Sequence, residues 1–166
     1  MAFTLARALV YAALFIALVL VYLPGLLAGR AGLVAPARIG AAQGLGLLVT
    51  GAGAALAVSC VLAFSIVGRG TPAPFDPPRR LVVRGPYRWL RNPMYVGACA
   101  ALLGAALYYR SWALLEYAAG FLIVMHLFVM WYEEPALRRR FGTEYEAYCR
   151  RVSRWWPRPP SVTPHP

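Results

Sequence analysis

The chain has 166 residues, 60% of them apolar and only 14% charged, against about 45–50% and about 25% in soluble globular domains. That composition excludes an ordinary water-soluble enzyme and points to a membrane protein. The formal charge of +11 comes from 17 arginines with no lysine; membrane topology and anionic inner-leaflet lipid account for it better than phosphate binding, so no nucleic-acid partner is expected.

Runs of about 18 or more apolar residues read as membrane-spanning helices, because a hydrocarbon layer of about 30 Å needs about 20 residues at 1.5 Å each. The first run covers residues 8–27 and is interrupted only by Pro24 and Gly25. Arg7 and the small residues near Ala28 also fit a cleaved signal peptide, but the stretch exceeds the roughly 7–15 apolar residues of such a leader, which favours a retained span. The second run, residues 39–67, carries no charge. Gly40, Gly44, Gly46, Gly51 and Gly53 within it suit close helix packing in lipid.

A loop follows. "GTPAPFDPPRR", residues 70–80, holds four prolines, each fixing φ and removing a backbone donor, so an extended, semi-rigid path is expected. "LVV", residues 81–83, fits a short strand or an interfacial anchor. Gly85 and Pro86 turn the chain. Asn92 before Pro93 is a helix-start signal, with Asn as the cap and Pro at the first helical position. The positive end of that helix, with its unpaired N–H groups, is a seat for an anion. Tyr87, Trp89 and Tyr95 place aromatic faces beside it, suited to a purine ring or a cation. The same spacing also fits an interfacial belt of aromatics and arginines.

Residues 94–109 form a third apolar run, short for a span, and residues 112–131 a fourth. Only Arg110 and Ser111 separate them, which predicts an antiparallel hairpin. Four spans with a cytoplasmic N-terminus put fourteen arginines inside and leave Arg30, Arg38 and Arg110 outside, so both termini are expected in the cytoplasm. The expected setting is an integral, multi-pass protein of a bacterial inner membrane.

At the inner end of the fourth span lie Glu133 and Glu134, which the hairpin returns toward Asn92. Carboxylates at a membrane boundary are costly unless paired or solvated. Arg91 or Arg88 could pair with one and leave the other for a ligand ammonium; a plain helix-end charge pair in water is the alternative. Pro135 is expected to start a further helix, broken at Gly142 and restarted by Thr143 in a capping box with Glu146. Leu137, Phe141, Tyr145, Tyr148 and Val152 give that pair an apolar face for the membrane surface, anchored by Trp155 and Trp156 and able to roof a pocket. Cys60, Cys99 and Cys149 lie far apart, so neither a metal site nor a disulfide framework is indicated.

The expected fold is an all-α membrane protein of about four transmembrane helices, with a C-terminal helical hairpin and cytoplasmic interfacial helices. Residues 1–68 supply two N-terminal spans, 69–158 a loop, hairpin and surface-helix core, and 159–166 a disordered tail.

"GPYRWLRNPMYVG" resembles the Gly-x-Tyr-x-x-x-Arg-His-Pro-x-Tyr-x-Gly signature of the isoprenylcysteine carboxyl methyltransferase family, and "EEPALRRRFGTEYEAYCRRV" resembles its paired-glutamate and Phe-Gly-x-x-Tyr-x-x-Tyr block. The resemblance covers roughly residues 68–158, and the family is grouped with phospholipid N-methyltransferases. It implies an integral membrane methyltransferase using S-adenosyl-L-methionine, with a cofactor pocket built from Arg79, Arg80, Leu81, Val82, Tyr87, Asn92, Pro93, Met94, Tyr95 and Glu133. Arg91, Glu134 and His126 are the candidate catalytic residues. The acceptor is expected to be lipid-like or a membrane-partitioned small molecule, and no dedicated base is needed for a carboxylate or thiolate acceptor.

Two positions depart from the pattern. Asn92 replaces the family's histidine before the proline, and Val129 stands where prenylcysteine enzymes carry a substrate-binding arginine four residues before the cofactor glutamate. His126, one turn further up, could meet a polar headgroup, or pair with Glu116 or a backbone carbonyl. Two other readings stay open: a membrane NADPH-dependent reductase of the sterol type, which needs a larger pocket and more spans, and a non-enzymatic lipid-binding protein whose arginine loop holds anionic headgroups.

Overall fold

The computed structural model describes residues 10, 13–64, 66 and 80–157. Arg79, the proline run at 70–78 and the tail at 159–166 lie outside them. The described residues form helices and connecting segments with no strand, apart from one isolated parallel bridge between Leu90 and Ser153. Helix α1 spans Ala13–Arg30, α2 Ala41–Ala63, α3 Pro93–Tyr109, α4 Trp112–Phe141 and α5 Thr143–Arg151. Three of them, α1, α2 and α4, are long and apolar enough to cross a membrane, while α3 is a shorter apolar helix of 17 residues.

Helices α2 and α3 pack antiparallel with their backbones in contact. A Cβ on Gly46 would lie 2.7 Å from the Gly104 carbonyl oxygen, and one on Gly97 would lie 2.7 Å from that of Gly53. Of the glycines on α2, Gly46 and Gly53 carry the contact, seven residues apart, whereas Gly44 and Gly51 meet nothing. Without Cβ atoms the axes approach closely enough for dispersion and side-chain-to-carbonyl bonds to join them. Thr50 Oγ1 donates to the Ala101 carbonyl at 3.3 Å, and Gln43 Nε2 to that of Tyr108 at 3.5 Å.

The α3–α4 hairpin closes over two residues, as its sequence requires. Arg110 takes the left-handed conformation at φ 51°, uncommon without glycine, and Ser111 accepts the Leu114 amide to cap α4.

Helices α1 and α4 each contain a π-helical segment, Ile16–Tyr22 and Val129–Glu133. In both, a proline lies two residues past the segment, Pro24 and Pro135. A proline has no N–H to continue the ladder, and the wider i→i−5 turn lets the helix run on through it. The expected new helix at Pro135 is therefore the continuation of the fourth span: α4 runs 30 residues without a break. In α1 the i→i−5 donor for the Val19 carbonyl would be Pro24; the Tyr117 hydroxyl of α4 donates there instead, at 2.8 Å. Phe15 against Phe121 completes this contact, so α1 packs on the main core around Tyr95, Leu102, Ala118, Phe121 and Val129.

The arginine-rich end of the bundle carries a second layer. Gly142 at φ 49° ends α4 and starts α5. The expected Thr143 cap does not form, because Gly142 holds the cap position and Thr143 is already the first helical residue. Nor is the apolar face of this layer spent on lipid. Tyr145, Tyr148 and Val152 are buried, with the partly buried Leu137, Phe141, Leu81 and Val83 packed against them. Val82 points the other way, into a cluster with Cys60 and Tyr87. Trp155 also turns inward onto the main core, while Trp156 stays exposed.

Candidate functional site

The end of α2, the start of α3 and the π segment of α4 converge at the arginine-rich end of the bundle. They border a narrow, partly open cleft with a cavity volume of about 20 Å³, lined by Phe64, Tyr87, Arg91, Asn92, Met94, Tyr95 and Glu133. Glu133 is 21 residues beyond Trp112, so about 30 Å along the helix axis, near the boundary of a hydrocarbon layer of that thickness.

Local sequence explains each wall. Gly85 at φ 59° and Pro86 form a one-turn 3-10 helix, Gly85–Arg88, that drops Tyr87 into the interior. Its ring meets Phe64 edge-on at 5.1 Å between centroids. Burial above all, with Cys60 and then Glu133 nearby adding more weakly, pushes the Tyr87 hydroxyl well above its usual pKa, so it stays protonated. Pro93 starts α3 as expected, but the Asn92 side chain does not cap it. Asn92 Nδ2 instead donates to the Arg154 carbonyl at 3.3 Å. The first-turn amides of α3 are thus left without a side-chain partner beside the cleft.

Across the cleft, Tyr95 donates its hydroxyl to Glu133 Oε2 at 3.0 Å. This is the hydrogen bond Glu133 makes among the described residues, and it leaves a carboxylate with acceptor capacity facing Phe64, Tyr87 and Met94. Glu133 is the last residue of the π segment.

The neighbouring glutamate is built differently. Glu134 is 6% exposed and is held by two arginines. Arg154 reaches it with Nε at 2.7 Å and Nη2 at 2.9 Å, a bidentate fork, and Arg91 Nη1 lies 3.0 Å from its Oε1. That contact holds Arg154 more firmly protonated than usual. Arg91 Nη1 also donates to Cys149 Sγ at 2.8 Å, and Arg91 Nε is buried without a partner. Of the two arginines weighed as partners for this acidic pair, Arg91 is the one; Arg88 is exposed.

The structure therefore gathers Tyr87, Arg91, Asn92, Met94, Tyr95 and Glu133 at one cleft. Pro93 is fully buried, Arg80 is exposed, Leu81 packs with the surface layer, and Val82 does not line the cleft but packs behind its wall in the cluster that holds Tyr87, Phe64 and Met94. Arg79 lies outside the described residues. Glu134 stands behind the cleft, bound to its arginines. His126 is about two turns up α4, where its Nδ1 accepts from Trp155 Nε1 at 3.0 Å; the partner is neither Glu116 nor a carbonyl. Val129 is 1% exposed inside the main core, so it faces neighbouring side chains and not the cleft. No residue of α5 lines the cleft; instead of roofing it, α5 braces its wall, the Tyr148 hydroxyl donating to the Tyr87 carbonyl at 2.7 Å. Sequence reasoning missed Phe64, a lone aromatic at the end of a charge-free apolar run with no motif around it.

No curated protein and no solved structure matches the chain. The profile of one family, described as phospholipid methyltransferase, matches residues 41–144. The match begins at the first residue of α2 and runs through the cleft into α5, taking in every cleft-lining residue. With a family profile over well above half its length and a helical architecture suited to the bilayer, the chain belongs to the phospholipid methyltransferase family and is an integral membrane methyltransferase.

Proposed function

We propose that this protein binds S-adenosyl-L-methionine in the cleft and methylates a lipid-like or membrane-partitioned acceptor that arrives sideways from the bilayer. The observation that carries this reading is the meeting of three complementary groups in one small space: a carboxylate with spare acceptor capacity, an uncapped helix start beside an arginine, and two aromatic faces. These are the partners that an ammonium, a carboxylate and a flat cationic nucleoside require.

Glu133 takes the ammonium. The α3 amides at Met94 and Tyr95, with Arg91 beside them, take the carboxylate. Phe64 and Tyr87 supply π faces for the adenine and the sulfonium, and Tyr95 fixes the Glu133 rotamer. When bound, the cofactor supplies an electrophilic methyl whose bonding pair leaves with sulfur as the acceptor's lone pair forms the new bond. The chain's share of the catalysis is to align the two partners and exclude water. A carboxylate or thiolate acceptor needs no proton removed. The arginine-rich end faces the cytoplasm, in keeping with the positive-inside bias.

Calorimetry on detergent-purified protein tests the reading. S-adenosylhomocysteine, the demethylated product, is expected to bind, and Glu133→Gln to weaken binding about thirtyfold, the loss of a charge-assisted hydrogen bond worth about 2 kcal/mol. No binding at millimolar ligand removes the proposal. Transfer of labelled methyl into a membrane lipid extract then identifies the acceptor.

A further inference from the structure

The segment after α5 touches the cleft without lining it. Val152 leaves the helix in extended conformation, at φ −121° and ψ 129°, and Ser153 pairs with Leu90 in the isolated parallel bridge. The Ser153 carbonyl accepts the Arg91 amide at 2.9 Å. The Arg154 carbonyl accepts from Asn92 Nδ2, and the Arg154 guanidinium forks onto Glu134, whose Oε1 also holds Arg91. Trp155 closes the run by donating to His126. Two of these bonds, from the Arg91 amide and the Asn92 side chain, tie the segment directly to the cleft's polar corner, and a third reaches Arg91 through Glu134.

Resting on the donor site just proposed, we infer that residues 153–155 form a strap that positions that site, with Arg154 as its positioning residue. Two effects follow from its bonds. The Arg154 carbonyl holds the Asn92 amide group away from the first turn of α3, so that end of the helix stays uncapped for an anion. The Arg154 guanidinium occupies both oxygens of Glu134, so Arg91 meets one oxygen only, through Nη1, and its Nη2 stays outside the fork on the side of the cleft it lines. A Glu134 freed of Arg154 has both oxygens open, and Arg91, 3.0 Å away, is drawn into the fork and out of the cleft. The strap thus regulates how much of Arg91 a ligand carboxylate finds.

The test is S-adenosylhomocysteine affinity by calorimetry on the full detergent-purified chain, with the thermal midpoint recorded beside it. Arg154→Gln is expected to bind about tenfold more weakly, as suits the loss of a charge-assisted contact. Arg154→Lys keeps the charge without the fork and falls between the two. The double variant Arg154→Gln/Glu134→Gln binds no more weakly than Arg154→Gln alone, since both changes act on one chain of contacts. Wild-type affinity in Arg154→Gln, with only its midpoint lowered, makes the strap a mere fold support and overturns the inference; so does a double variant whose loss is the product of the single losses. Should Arg154→Gln fail to fold, Arg154→Lys decides alone: unchanged affinity overturns the inference. Absence of binding in the wild type overturns the donor-site reading itself, a different result from binding that ignores Arg154.

Discussion

The π segments of α1 and α4 meet the same backbone problem, a proline two residues downstream that cannot donate to the helical ladder. In each, a tyrosine hydroxyl from the neighbouring helix reaches the widened turn. Tyr117 finds a backbone carbonyl, Val19, and the account closes: the orphan acceptor is satisfied and nothing polar remains to be used. Tyr95 finds a side-chain carboxylate, Glu133, and the account stays open, because one hydroxyl does not saturate two oxygens. The contrast separates architecture from chemistry. One distortion of the helix lets the chain pass a proline, and the other uses it to aim an acid into a cleft.

The comparison breaks most sharply at the prolines. Pro135→Ala restores an amide donor and lets α4 return to ordinary pitch, which turns Glu133 away from Phe64 and Tyr87. S-adenosylhomocysteine affinity is expected to fall about tenfold while the thermal midpoint holds or rises, since proline inside a helix costs about 3 kcal/mol. Unchanged affinity makes the π segment incidental to the site. Tyr95→Phe has a smaller effect, about fivefold in the same titration, the worth of one hydrogen bond of about 1 kcal/mol. A result equal to wild type means that Glu133 needs no orienting partner. Smallest for binding is Tyr117→Phe, where no change in affinity is expected. It strands the Val19 carbonyl and lowers stability by about 1 kcal/mol, a shift of about 2–4 °C in midpoint. A loss of affinity there means that the two turns are coupled and the division between them fails.

How much of this was legible in the residues follows the same division. The helices announced themselves, because long charge-free runs have one structural outcome in lipid. Tyr87, Asn92, Met94, Tyr95 and Glu133 were legible as a group because rigid Gly-Pro and Asn-Pro steps fix them in two short stretches that a tight hairpin brings together. The π segments were not, since no local motif marks them and the hydroxyls that reach them, Tyr117 and Tyr95, come from other helices. The roles of Asn92 and Trp155 were misread for a related reason: local rules make Asn a cap and Trp an anchor, but the Arg154 carbonyl and His126 were nearer partners. Leu81 and Val82 sit beside the site in sequence, yet two competing apolar clusters claim them.

The glycine contacts between α2 and α3 bear on how the proposed acceptor would reach the cleft. Where two backbones touch, neither helix can slide or tilt without collision, so Phe64 at the end of one and Tyr95 near the start of the other move as a single rigid jaw. In the proposed reaction, the widening that admits a lipid tail comes from the opposite jaw, the π segment of α4 that carries Glu133 two residues before Pro135.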